Sequence, residues 1–417
     1  MSDDSPNGSN PSNAATQRDQ PWRVSVWTAA AFWLTANVPV CIGVLLGFHT
    51  LQPGRPIPYG EDSLLQRFCA WDGGQFMHIL NSGYHYDSES ISNVALFPGY
   101  PSVTALLQSA TGLSTSLALL IVAQVSLFLG LIIWHRYLSL RFPDHPQLPN
   151  WVLAALVFFP PSFFFRMAYS ESLFLFLSAL VLLALESRWP MVISALLIGA
   201  AVGVRLVGIA FIPVFLLHLF TDAGGRRKQF TTAILCLPLC IWGLLAYMAF
   251  LDLRFEDPFV FSKAQDNFYL RPPVSTTDHW YRLATLEPIF ANYQSDSLAY
   301  WRRHDPDLPA VFSLQFANPF WFLTLVVATL YGWIRHVLND KEFLLSATLL
   351  ALAYVGRAEE FCMGSQARYS LAALPAFITI GKVCGGLPKP IRLTLVTAGV
   401  SLLTAYSALF AAWYFLL

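Results

Sequence analysis

Long apolar runs recur along this chain, and they leave it few ways to fold. About 20 consecutive apolar residues are enough to cross a bilayer as a helix, and within a bilayer a helix satisfies its own backbone hydrogen bonds. Walking the sequence with that length gives a first span from about 24 to 48. Further candidates lie at 114–134, 151–165, 172–185, 191–204, 206–220, 230–251, 311–334, 343–355, 371–381 with its flanks, and 391–417, about eleven in all. Gly and Pro interrupt several of them. The chain is 55% hydrophobic and only 12% charged, more apolar surface than a soluble domain needs. The expected fold class is an all-α polytopic membrane protein with no inserted soluble domain.

The polar residues then orient the stack. Residues 1–20, rich in Ser, Asn, Asp and Gln, read as a disordered tail. They do not read as a signal peptide, because no short apolar core with a small-residue cleavage site follows. Residues 21–417 read as one integral-membrane domain. Arg18 and Arg23 put the N-terminus in the cytoplasm. Arg136, Arg141, Arg188, Arg226, Arg227, Lys228, Arg335, Lys341, Lys382, Lys389 and Arg392 then fall on the same side. The opposite face collects a first loop at 49–113, turns at 166–171 and at Arg205, a second loop at 252–310, and the turn 356–368. The reading leans towards a bacterial plasma membrane, or the ER membrane for a eukaryotic chain. The formal net charge is zero, so nothing points to nucleic acid as a partner. The six cysteines are scattered, and none of the Cys and His spacings suits zinc. A Cys69–Cys362 disulfide is not expected. His279 with Asp278, Asp305 and Asp307 has no specific metal spacing, so no metal and no organic cofactor is expected.

Against this background Trp71-Asp72-Gly73-Gly74 stands out. An acid held beside a bilayer is costly and usually has a task. Beside an interfacial Trp, a carboxylate is placed to accept a proton from a sugar hydroxyl. Phe68, Trp71, Phe76, Ile79 and Leu80 recur at roughly helical spacing, with Asp72, Gln75 and His78 on the other side. That pattern predicts an amphipathic helix lying in the interface, and residues 97–107 predict a second. Plainer readings stand beside these. Asp72 followed by Gln75 also looks like a capping box. Ser170-Glu171 looks like an ordinary helix start. Arg205 could snorkel, and Arg368 could pair with Glu359 or Glu360. His78 and His85 read as structural.

The motifs have an order. Asp62-x4-Arg67-x3-Trp71-Asp72-Gly73 is followed by His78, Gly83-Tyr84 and Phe97-Pro98-x-Tyr100-Pro101. Then come Phe159-Pro160, Phe165, and Tyr169-Ser170-Glu171-Ser172-Leu173-Phe174. Arg205-x2-Gly208 and Arg368-Tyr369 with Pro375 complete the set. Over residues 62–375 this order and spacing resembles the family of the second GPI mannosyltransferase, the PIG-V family, and its bacterial relatives. The chain departs from that pattern at Gly99, where relatives usually carry a bulky residue, and in the loop 252–310, which leaves the acceptor open.

The resemblance implies a GT-C fold and transfer of mannose, with inversion, from a polyprenyl (dolichyl) phosphate donor. The acceptor would be a glycolipid or glycan at the outer or lumenal face, so the partners are membrane lipid, donor and acceptor. In that family the candidate base is the acid of the Trp-Asp motif, here Asp72. The leaving phosphate calls for guanidinium partners. Arg205 and Arg368 are the first choices and Arg166 the third. Glu171 would order an arginine or bind a sugar hydroxyl. Trp71, Tyr169 and Tyr369 would stack on sugar rings, with Gln75, His78 and Tyr100 as further substrate contacts. The competing reading is a transporter or flippase that moves a lipid-linked sugar without bond chemistry. It would show broken spans, polar residues near the midplane and internal repeats, none of which the sequence suggests.

Overall fold

The computed structural model describes residues 22–55, 63–221, 225–268, 271–303, 306 and 308–414. The tail 1–20, Asp62, Asp305 and Asp307 lie outside them. All regular secondary structure among the described residues is helical. Among the described residues four helices are long and apolar enough to cross a membrane: Trp22–His49, Thr115–Arg141, Leu314–Ile334 and Lys389–Ala411. The chain is a multi-pass integral membrane protein. Two bent pairs bring the number of candidate spans to six. Met191–Val204, Leu206–Thr221 and Ala376–Gly386 are apolar but shorter. This length test does not reach the eleven expected spans, because several of the predicted runs are short or broken helices.

Broken spans are therefore present, contrary to expectation. The run read as one span over 151–165 bends by 82° between Leu148–Val157 and Pro160–Arg166. Pro160 and Pro161 supply no backbone N–H, and a proline also disfavours helical geometry in the residue before it. Arg226–Cys240 and Trp242–Phe255 meet at 44°, just after Pro238 inside the first of them.

The first and last long helices are locked together by small residues. A Cβ on Gly43 would lie 2.3 Å from the Thr404 carbonyl oxygen, and one on Gly47 would lie 2.1 Å from that of Ala408. Only glycine lets two backbones approach so closely.

Both helices expected in the first loop form, as Asp72–Ser82 and Gly99–Thr111. Phe76 meets Tyr100 edge to face at 5.0 Å, and the Tyr100 hydroxyl donates to the Leu119 carbonyl at 2.7 Å. This joins both short helices to the long Thr115–Arg141 helix. Gly99 has a steric reason to be small. Its Cβ would lie 2.6 Å from Val204 Cγ2 and 2.9 Å from the Gly203 oxygen. The departure from the family pattern thus lets this helix pack directly beside Arg205.

The described residues of the loop 252–310 include helices at Val260–Lys263, Thr276–Ala284 and Glu287–Ala291. It is fastened to the segment 357–365 by Arg271, whose N–H donates to the Glu360 oxygen at 3.2 Å. Arg282 adds an ion pair to Glu359 at 2.6 Å.

Candidate active site

The Asp72–Ser82 helix begins at Asp72 itself, with Trp71 as the preceding cap residue at φ 60°, ψ −120°. Positive φ is unfavourable for a bulky side chain and marks a conformation held by its surroundings. Tyr169 does the holding. Its hydroxyl accepts from the Asp72 N–H at 3.2 Å and donates to the Ala70 carbonyl at 3.1 Å. The Ala168 N–H donates to the Phe68 oxygen at 2.9 Å. Burial, with the Asp72 carboxylate close by, pushes the Tyr169 phenol well above its ordinary range, so it stays protonated.

The twist at Trp71 turns the Asp72 side chain away from its own helix. The plainer reading of Asp72 and Gln75 as a capping box is not met, since Asp72 occupies the first helical position and no side chain caps this end. The carboxylate goes instead to Arg368, with Nη1 at 2.6 Å from Oδ2.

Arg368 connects two acids. It is 4% exposed, and its Nε donates to Glu171 Oε1 while Nη1 holds Asp72. The same Glu171 oxygen lies 2.5 Å from Arg205 Nη1, which also reaches the Ser170 hydroxyl at 3.4 Å. The Ser170 side chain does not cap its helix. Arg368 does not pair with Glu359 or Glu360, and Arg205 points inward rather than snorkelling. Two guanidiniums and two carboxylates make a formally neutral quartet assembled from four separate segments.

Aromatic rings enclose it. The Arg368 guanidinium sits 4.5 Å from the Tyr169 ring centroid and 5.6 Å from Tyr369, and Arg205 lies 5.7 Å from Tyr369. A small cavity beside the quartet is lined by Phe165, Phe174, Leu371 and Leu374 as well as Glu171, Arg205, Arg368 and Tyr369. Glu171 Oε2 is shielded from solvent there and has no hydrogen-bond partner. Of the two acids, Asp72 is the more accessible, with 25% side-chain exposure against 4% for Glu171.

The remaining candidates stand apart from the quartet. Arg166 is fully buried, and it donates to the Ser162 carbonyl at 3.0 Å and the Val157 carbonyl at 3.4 Å. It closes the broken span. Tyr100 is core. His78 is exposed, with Nδ1 at 3.2 Å from Asn93 Nδ2. Gln75 is half-buried. Trp71 packs on Trp413 at 5.7 Å with Arg55 over its ring at 5.4 Å.

A second cluster lies outside the quartet. Ligand atoms of His279, Glu359 and Glu360 fall within 4.8 Å of one another. Arg271 and Arg282 already engage Glu359, and burial pushes the Glu360 carboxyl above its usual range. Asp278 takes no part and instead meets Ser275 at the start of its helix. Cys69 and Cys362 are both free and buried.

No family model matches the chain. Two curated proteins are similar to it. GPI alpha-1,6-mannosyltransferase 2 of Rattus norvegicus is 33% identical over 208 residues, 44% of this chain and 40% of that protein. GPI mannosyltransferase 2 of Drosophila pseudoobscura pseudoobscura is 32% identical over 138 residues, 30% of this chain and 29% of that protein. The chain thus spans well under half the length of the curated relatives it matches. Both bear the name to which the motifs led, and the resemblance is borne out to that extent. Among solved structures, ArnT from Cupriavidus metallidurans in the apo state covers 86% of this chain and 79% of its own, at 16% identity and a TM-score of 0.29. A likeness that loose carries no argument.

Proposed function

We propose that this chain, a relative of the second GPI mannosyltransferase, is a membrane glycosyltransferase of the GT-C kind. It moves mannose from a polyprenyl phosphate donor to a glycolipid or glycan acceptor at the outer or lumenal face. The observation that carries the reading is the quartet of Asp72, Arg368, Glu171 and Arg205.

In this reading the acceptor hydroxyl attacks the anomeric carbon as the bond from that carbon to the phosphate oxygen breaks. The hydroxyl proton passes to Asp72. The electron pair leaves with the polyprenyl monophosphate, whose growing charge is met by Arg205 and Arg368. Guanidinium suits that task through directed, charge-assisted hydrogen bonds. A single displacement inverts the anomeric centre.

Asp72 must leave Arg368 first, because the carboxylate oxygen that holds Nη1 is not free to take the hydroxyl proton. The quartet is neutral, and a phosphodiester brings one further negative charge. Of the two acids only Asp72 has the exposure to swing away. A donor phosphate taking its place on Arg368 would free the base at the moment it is needed. Glu171 stays, keeping both guanidiniums in place, and its free Oε2 suits a donor hydroxyl.

The test is transfer of labelled mannose from polyprenyl-phosphate mannose by membranes holding the wild type or Asp72→Asn. A lost general base costs about a hundred- to ten-thousandfold in rate. Wild-type transfer together with a folded, inactive Asn variant supports the reading. Near-wild-type transfer by Asp72→Asn removes Asp72 as the base. No wild-type transfer with any glycolipid or glycan acceptor overturns the enzyme.

A further inference from the structure

The segment that carries Arg368 is strained and held in place by its neighbours. Cys362, Met363 and Ser365 all have positive φ, at 54°, 60° and 59°, a conformation that side chains rarely adopt. Such backbone persists only where its surroundings hold it. Among the holders are two amides on the first turns of the largely apolar Leu314–Ile334 helix, beside Gln366 Nε2, which donates to the Ala353 carbonyl at 2.8 Å. Gln315 Nε2 donates to the Cys362 carbonyl at 2.6 Å. Asn318 Oδ1 accepts from the N–H of Ala367 at 3.2 Å, one residue before Arg368. Both side chains are fully buried, and polar groups at such places in apolar helices are rarely idle.

The local sequence explains how the amides are held. Pro319 lies inside this helix and has no N–H to give the carbonyl of Gln315, four residues back. Asn292 fills that gap, donating to the Gln315 oxygen at 3.1 Å. Its own Oδ1 accepts from Gln315 Nε2 at 3.0 Å. Asn318 Nδ2 donates to Gln315 Oε1 at 3.4 Å. The amide row therefore runs from the loop 252–310 through the helix to the residue adjoining Arg368.

We propose that Gln315 and Asn318 are positioning residues that set the Arg368 guanidinium for the donor phosphate. The inference rests on the glycosyltransferase reading above. Neither amide reaches the quartet. They act through the backbone of residues 362–367, and a misplacement of about 1 Å at a reacting group costs up to a hundredfold.

The experiment measures binding of a short polyprenyl phosphate, in detergent, to the full-length protein, alongside its melting temperature. Asn318→Ala is expected to weaken binding about tenfold, because losing its bonds to Ala367 and Gln315 lets the backbone that carries Arg368 shift. Combined with Arg368→Lys it should add nothing, because both act on one contact. Ser365→Gly covers the case in which Asn318→Ala misfolds. Glycine is at ease at that φ, so melting should hold while phosphate binding falls about threefold through a looser segment. Two results overturn the inference: wild-type affinity in Asn318→Ala and Ser365→Gly, or losses that multiply between Asn318→Ala and Arg368→Lys. A wild type that binds no polyprenyl phosphate overturns the reading beneath it, and the inference with it.

Discussion

Arg368 Nη1 lies 2.6 Å from Asp72 Oδ2 although the two residues are 296 positions apart. The pair joins the candidate base to the candidate phosphate clamp. In the free protein each therefore occupies the other, and the site rests in a charge-neutral state.

Arg368→Lys should weaken donor binding by at least tenfold. A lysine ammonium is a single point and cannot offer Nε to Glu171 and Nη1 to Asp72 in the fixed fork that guanidinium provides. Inhibition of transfer by polyprenyl phosphate, compared between wild type and variant, measures the loss. Unchanged inhibition would remove Arg368 from the phosphate site.

Glu171→Gln should cost more stability than Asp72→Asn. Glu171 is 4% exposed and serves both arginines, while the Asp72 side chain is 25% exposed. Removing one partner from a buried ion pair costs about 3–5 kcal/mol, and the more accessible pair should lose less. Thermal denaturation in detergent ranks the two, and the reverse order would contradict the assignment of Glu171 as the fixed pivot.

Arg166→Met should destabilise the fold without altering donor affinity in the protein that does fold. Arg166 serves the carbonyls of Ser162 and Val157 at the broken span. Each carbonyl stranded in the interior costs about 1–3 kcal/mol. The check is the donor KM of the folded fraction, and a large rise would return Arg166 to the phosphate site.

Gly99→Leu, which restores the bulk usual among relatives, should lower donor affinity here. The new side chain meets Val204 and the Gly203 carbonyl directly, next to Arg205. Overpacking of this sort costs about 1–3 kcal/mol and shifts backbone. Paired measurements of melting temperature and donor KM would detect it, and no change in either would show that the neighbouring helix has room to move.

The charged members of the site were legible in the sequence. Asp72 stands out because acids are rare in so apolar a chain, while Glu171, Arg205 and Arg368 are found through the motifs that resemble the PIG-V family. Their pairing was not legible. Glu359 and Glu360 are near Arg368 in sequence, yet the strained turn at 362–365 carries Arg368 to the other two acids, while Arg271, Arg282 and His279 take up Glu359 and Glu360. The 151–165 run read as one span because hydropathy does not register two prolines that redirect the chain. Tyr100 belongs to the motif, but it is a packing residue whose hydroxyl is spent on Leu119. Gln315 and Asn318 lie inside an apolar run, where their one signal in the sequence is two amides three residues apart ahead of Pro319.

The interlock of Gly43 and Gly47 with Thr404 and Ala408 has a consequence for how the molecule is made. A chain is synthesised from its N-terminus, and Asp72, Glu171 and Arg205 reach the membrane well before Arg368 does. Until then the first helix has no partner for its glycine face, and the two early acids have only one arginine between them. The last helix closes the bundle against the first after Arg368 has arrived. Before Arg368 arrives, the other three members of the quartet carry one more acid than arginine, and the glycine face of the first helix lies open.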